Sequence, residues 1–452
     1  VPRRFGIPGR AGGALAFLLG LCLLPVAAVA EGGRLVEMDF RLVMAAMAQR
    51  VGGNGQFALY QAQGRQEPRA LVVVGGRLEL DALGPKNPAL QSGLLVSEAG
   101  GGILARTPLV VWEGAELALG PGTELHLSRS EGAFLASFGR LTLDGARVAG
   151  RGEAPAGNAE FRPFVLVAGT GVLTARDSRF EALGFDLAPA YAGVAVINRG
   201  IFPAVGCTEI RDTRLEAVGS LLLEDTEGAT LAGNRIEAAQ GAGIWLRRTR
   251  DLRLVGNRVV TPSGHGIRLS AGAARVQLLD NEITDAGEAG IFADTGSGAV
   301  LIRGNRIEGA AGDAISIKRS DCVSIRDNVA LRAGGSGIRL RRSTAVEIRD
   351  NHLSRNAGAG VLVEDQPQRA ETRLEGNRLA GNSRGLAGAN AGAMRLLGND
   401  FTDQFPRLLD GDLVYLARDL LGDLHGRNLL LLAPHGTALS GFRSDCPVME
   451  GY

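Results

Sequence analysis

The 452-residue sequence predicts an all-β fold, a right-handed parallel β-helix with three short strands in each coil of about 23 residues. Three observations carry that prediction: an Asn that returns at a nearly fixed interval, aliphatic pairs at fixed offsets from it, and a composition rich in glycine but poor in aromatics. An Asn preceded by Gly or Asp recurs at Asn234, Asn257, Asn281, Asn305, Asn328, Asn351, Asn377 and Asn399, in steps of 23, 24, 24, 23, 23, 26 and 22 residues. Ten residues after each of the first six come Ile244, Ile267, Ile291, Ile315, Ile338 and Val361, every one behind a Gly or Ala. Leu246, Leu269, Ala293, Ile317, Leu340 and Val363 follow two positions on, the alternation of a strand with one buried face. A second pair precedes the next Asn (Leu252 and Leu254, Val276 and Leu278, Val300 and Ile302), and a third strand follows it at Ile236, Val259, Ile283 and Ile307. No such coil buries its own inner face, so stacked neighbours must supply the core. The 66 glycines, about twice the usual share, suit the many tight turns.

The elements follow in chain order. Arg3, Arg4 and Arg10 precede an apolar run from Ala14 to Ala30 that ends in Ala28-Val29-Ala30, the pattern of a cleaved export signal over residues 1–30. Cleavage there removes three positive charges from a chain of net charge +1 and leaves −2. No later segment is apolar enough to span a bilayer, so a periplasmic location is expected. Residues 31–69 form an N-terminal cap region, in which Leu35 to Arg50, with Met38, Met44 and Met47, reads as a helix closing the stack. The β-helix runs over 70–402 in roughly fourteen coils, about 65 Å long at ~4.8 Å per coil. Residues 403–452 lose the repeat and, with Leu429-Leu430-Leu431-Leu432, form a C-terminal cap. The Asn column reads as a turn ladder, with Asn in the left-handed conformation and its amide bonded to the next coil. Cys207, Cys322 and Cys446 are too few and too scattered for a disulfide framework, and Cys322 reads as a packed free thiol.

Balanced charge, 49 basic against 48 acidic residues, gives no reason to expect a nucleic-acid partner. The outward positions of the strand that begins at each Gly-Ile step form columns down the stack. One reads Trp245, Arg268, Phe292, Ser316, Arg339, Leu362; the next Arg247, Ser270, Asp294, Lys318, Arg341, Glu364; the third, at the turn, Arg248, Ala271, Thr295, Arg319, Arg342, Asp365. Their recurrent cations predict a positive, ladder-like surface that would hold successive acidic groups of an extended anionic polymer. His265 lies just before Arg268, with Asp294 and Asp313 one and two coils beyond, and is the candidate general base. The other histidines are scattered, so neither a metal site nor a cofactor is expected.

Three stretches, Leu127-Ser128-Arg129-Ser130-Glu131-Gly132-Ala133-Phe134-Leu135, Glu160-Phe161-Arg162-Pro163-Phe164 and Phe180-Glu181-Ala182-Leu183-Gly184-Phe185, resemble the bacterial periplasmic alginate (mannuronan) C5-epimerases. The resemblance runs from about residue 70 to 400, in matching order and coil register. It implies a β-helix that binds polymannuronate along its strands during export. It also implies chemistry at C5: a cation neutralises the sugar carboxylate, and a base and an acid work on opposite faces. The family carries Asp-Pro-His-Asp directly after a Gly-Ile pair. Here Gly243-Ile244 is followed by Trp245-Leu246-Arg247-Arg248, and the family's substrate-facing arginine falls on Ala271. One coil on, His265-Gly266-Ile267 is kept, and Asp294, Asp313, Arg339 and Arg341 match residues common in the family.

The sequence therefore predicts a protein that binds an anionic uronate exopolysaccharide, with proteins of its export apparatus as further partners and with the family's catalytic tetrapeptide replaced. Trp245, Arg247, Arg248, Asp294, Asp313, Lys318, Arg339 and Arg341 are the expected binding residues. An active uronate epimerase or β-eliminating lyase that uses His265 and Arg268 is the enzymatic alternative, and a structural or adhesive β-helix the third.

Overall fold

A computed structural model describes residues 32–52, 55–155, 158–367 and 370–432 together with Cys446. The export signal expected over 1–30 lies outside these residues. The chain winds into a right-handed parallel solenoid of about 13 turns, against the roughly fourteen expected. Its strands form three long sheets of 15, 14 and 13 strands. Each coil contributes one strand to each sheet in order. Thus Ile267–Ser270 lies in the first sheet, Ala274–Leu279 in the second and Glu282–Thr284 in the third.

The inward aliphatics picked out by the repeat are all buried in one continuous core; Ile244, Leu246, Leu252, Leu254 and Val259, for example, are fully inaccessible. Each sheet is closed at one end by an antiparallel strand. β1 (Arg34–Asp39) pairs antiparallel with β2 (Arg69–Val74) in the first sheet. Leu95–Ser97 does the same against Ile103–Ala105 in the third, and Leu430–Leu432 against Ala393–Leu397 in the second. These strands satisfy edge groups that would otherwise template aggregation. At the C-terminal end the first sheet continues through Leu409–Gly411, and Leu413 and Leu420 are buried over the last coil.

The Asn column is a buried hydrogen-bonded ladder. Asn281 donates from Nδ2 to Asn305 Oδ1 at 2.9 Å, and its backbone N–H reaches the same oxygen at 2.9 Å. The second amide hydrogen reaches back to Leu254 O at 3.1 Å, so every polar atom of a side chain about 1% exposed is used. The same pattern joins Asn234 through Asn399. The left-handed conformation expected of Asn belongs instead to the residue before it: Gly256 at φ 62°, Asp280 at 54° and Asp327 at 55°. The Asn itself must point inward to make the ladder. A second ladder, Asn356–Asn382–Gln404, runs along the next corner in the later coils.

The expected N-terminal helix needs correction. Leu35 to Met38 belong to β1, and only from Phe40 does the chain turn helical, in α1 (Phe40–Val51), with Asp39 as its N-cap. Asp39 Oδ1 accepts the Arg41 N–H at 2.8 Å, which fixes the boundary. Nor does the helix close the end of the stack. Phe40, Val43, Met47 and Val51 form one stripe, and with α2 (Gln56–Ala62) that stripe lies flat on the outer face of the first sheet. There it covers Val72, Val110, Ala136, Leu166, Ala195 and Leu222, an outward column that is apolar for this reason.

The family-like segments build this second core. Phe134 stacks on Phe164 with centroids 4.6 Å apart, Phe161 meets Phe185 edge-on at 5.5 Å, and Tyr191 closes on Phe164 at 4.8 Å. Their part is structural. The cysteines also depart from expectation. Cys322 is bonded to Cys446, 124 residues away, which ties the C-terminal tail to the outside of the second sheet, and Cys207 is disulfide-bonded as well. A spacing set by where a tail returns leaves no local signal.

Candidate functional site

Where α1 ends, the first sheet opens. The outward column is fully buried through Leu222 and then continues Trp245, Arg268, Phe292, Ser316, Arg339 and Leu362, all partly exposed. Strand pairing puts these six in register, Trp245 beside Arg268, Arg268 beside Phe292, and so on down the stack. The second column is in register from Asp294 through Lys318 and Arg341 to Glu364. The third is a line of left-handed turn residues, Arg248, Ala271, Thr295, Arg319, Arg342 and Asp365, at φ from 46° to 55°.

The surface is less positive than the sequence suggests, because most of its cations meet a carboxylate from a neighbouring coil. Glu224, only 3% exposed, takes Arg199 at 2.7 Å, Arg247 at 3.2 Å and Arg248. Arg248 also bonds Asp225 at 2.8 Å, and these hydrogen bonds hold its guanidinium pKa above the usual value. Arg339 lies between Glu364 at 2.7 Å and Asp313 at 3.7 Å, Arg341 on Asp365 at 2.9 Å, and Arg319 on Asp294 at 2.8 Å. For Arg339, Arg341 and Arg319 the partner (Glu364, Asp365 and Asp294) stands one coil away on an adjacent column, a relationship that reading down one column misses, whereas Glu224 precedes Arg247 on its own column.

Two cations remain without an acidic partner among the described residues, Arg268 and Lys318. The Arg268 guanidinium lies 4.8 Å over the Trp245 ring, and its Nε, although buried, has no hydrogen-bond acceptor. Trp245 is itself fixed by its indole N–H, which donates to Ser270 Oγ at 2.9 Å. Beside them the His265 ring stacks on Phe292, with centroids 4.5 Å apart and planes 19° off parallel. The open face thus alternates aromatic surface with two available positive charges.

His265 is brought to this face, but both ring nitrogens are occupied. Nδ1 accepts the Ala289 backbone N–H at 3.2 Å, which leaves the proton on Nε2, 2.9 Å from Glu288 Oε2. Burial holds its pKa below the usual 6.5; the Glu288 charge opposes that shift and Arg268 adds to it. Glu288, exposed on the turn beside His265, escaped the sequence reading; its one signal was standing three residues before Ile291, one coil beyond His265. Asp313 occupies the same turn position as His265, two coils on, and accepts the Ser336 N–H at 2.8 Å. Glu224, Asp225 and Arg199 were missed because they precede the regular repeat. Among the described residues no group of three or more His, Cys, Asp or Glu is placed to hold a metal ion. None of the described helices is long and apolar enough to cross a membrane.

Fold and open face together define a right-handed parallel β-solenoid with an extended, strand-lined outer surface. The family described as "Right handed beta helix region" matches residues 162–307 and 295–401, and the chain belongs to it. Among curated proteins, the mannuronan C5-epimerase of Pseudomonas aeruginosa is 33% identical over 152 residues, 32% of this chain and 27% of that protein. The mannuronan C5-epimerase AlgG of Azotobacter vinelandii is 32% identical over 173 residues, 36% of this chain and 32% of its own length. The matched segments therefore span about a third or less of these relatives. The crystal structure of the periplasmic alginate epimerase AlgG superposes with a TM-score of 0.68 at 20% identity, covering 89% of this chain and 99% of that one, a likeness of fold.

Proposed function

We propose that the protein binds an anionic, uronate-containing polysaccharide along the open half of the first sheet, in the periplasm, during synthesis or export of that polymer. One observation carries the reading: Trp245, Arg268, Phe292 and Lys318 stand together on successive coils, with the two cations unclaimed by any carboxylate among the described residues. Aromatic faces offer the apolar surface on which sugar rings stack, and the cations meet the uronate carboxylates. Curated relatives named as mannuronan epimerases make polymannuronate the first polymer to test. Trp245-Leu246-Arg247-Arg248 in place of Asp-Pro-His-Asp, with both arginines tied to Glu224, favours binding over proton transfer. The test is calorimetric titration of the mature protein with polymannuronate, in wild type and in Arg268→Ala/Lys318→Ala. Unchanged affinity in the double variant would sink this groove.

A second reading rests on His265 and Glu288, an acid–base pair 2.9 Å apart beside the unclaimed Arg268. In that reading Arg268 neutralises the carboxylate, the Glu288 carboxylate takes the C5 proton, and the His265 Nε2–H returns a proton to C5. Incubation with polymannuronate in D₂O separates the two. Deuterium at C5 or an unsaturated end group supports catalysis; their absence alongside tight binding supports a scaffold.

A further inference from the structure

We infer that the groove is closed at one end and receives a terminus of the polysaccharide rather than its interior; this rests on the binding function proposed above. The second outward column can be followed upstream from Arg247 through Glu224 to Ile197, in register. There it enters a cleft of about 400 Å³, within the range of small-molecule sites. One wall is the C-terminal end of α1, at Val51 and Gly52, with Gly55 at the start of α2; the other is the segment from Leu187 to Tyr191. Beyond Ile197 the column is sealed. Ala168 and Phe138 are fully buried, and the Arg50 guanidinium lies 4.4 Å over the Phe138 ring.

The wall is also fastened. Arg199 donates to Val51 O at 3.0 Å and to Glu224 Oε1 at 2.7 Å, locking the end of α1 to the coil beneath it. At the mouth of the cleft, three guanidiniums (Arg199, Arg247, Arg248) face two carboxylates (Glu224, Asp225), an excess of one positive charge. A chain lying along Phe292, Arg268 and Trp245 meets this corner with a carboxylate on its last sugar and cannot continue. The ligand class is the end residue of a uronate oligosaccharide, reducing or non-reducing.

The experiment measures stoichiometry and affinity of the full mature chain with short and long oligomannuronates of defined length. Three forms of each are compared: both termini free, the reducing end converted to the alditol, and the non-reducing end carrying the unsaturated uronate. We expect one protein per chain at every length. One of the two blocked forms should bind about tenfold more weakly, the loss of one hydrogen bond to a charged group. Protein bound per chain that rises in proportion to length, or equal affinity of all three forms, overturns the closed end while leaving the groove. Failure of every oligosaccharide to bind overturns both.

Discussion

Ala289 donates its backbone N–H to Nδ1 of His265, one coil away, at 3.2 Å. The same bond is made by Ser336 to Asp313 Oδ1 at 2.8 Å and by Ala359 to Ser336 Oγ at 3.2 Å. His, Asp and Ser thus perform one task at one position of the coil, accepting an amide that would otherwise be buried unpaired.

His265→Asn, which keeps an acceptor, should leave stability within about 1 kcal/mol, whereas His265→Ala should cost about 1–3 kcal/mol for the orphaned amide. Thermal or urea unfolding reads the difference. The two variants also separate structure from chemistry, because a catalytic His265 would lose C5 exchange in both.

Acid should weaken the fold through the same ring. Burial lowers the folded pKa of His265 below the usual 6.5, so the unfolded chain takes up its proton first. Stability from this group is complete above about pH 6.5 and is lost as pH falls through the folded value. His352, also lowered by burial, contributes a parallel slope. Subtracting the His265→Asn profile from that of wild type should isolate a component that rises with pH just below 6.5; coincident profiles would refute it.

Asn305→Ala should be among the most damaging single changes. It removes the acceptor for both donors of Asn281 and the donor to Asn328, inside a fully buried column. A loss of roughly 2–4 kcal/mol is expected. Asn399→Ala should cost less, because that residue donates only to Leu374 O and Leu397 O and passes no bond to a further Asn. Equilibrium unfolding of the two variants tests the order.

Trp245→Ala should weaken polymannuronate binding about five- to tenfold, and Trp245→Phe by less, since the ring both offers the stacking face and supports Arg268. Arg341→Ala, whose charge is already spent on Asp365, should change affinity little. Titrations at low and physiological salt provide the measurement, and the contribution of Arg268 should shrink as salt rises.

Cys446→Ser should destabilise the chain by up to about 4–5 kcal/mol if unfolding is two-state, given the 124-residue span of the Cys322–Cys446 bond. Limited proteolysis with and without reductant should show the tail cut first.

The coil was legible in the sequence because its period is imposed by one buried amide and two aliphatic pairs, each with a single place in the cross-section. The outward columns were legible for the same reason, and Trp245, Arg268 and Phe292 stand where the spacing put them. What the surface does electrostatically was not. Arg339 and Glu364 are 25 residues apart and on different columns, so their pairing depends on side-chain reach, which periodicity does not encode. The α1 stripe, Phe40, Val43, Met47 and Val51, was present in the sequence. Its docking site on the sheet shows only in the apolar outward residues of the early coils, a signal that the irregular spacing there conceals.

The ladders also dictate where such a protein can vary. From Asn234 to Asn399 the corner between the second and third sheets is pinned by a side chain in every coil, and in the later coils Asn356, Asn382 and Gln404 pin the next corner as well. Extra residues inserted at either would break a bond in two coils at once. Among the described residues the corner after the first sheet bears only a short side-chain run, Ser320 N–H to Ser343 Oγ and Ser343 N–H to Gln366 Oε1, and the single long step, 26 residues, places its surplus there, after Glu364. That corner borders the open face. New specificity can therefore be added by lengthening turns at the rim of the groove, coil by coil, without disturbing the register of the stack beneath.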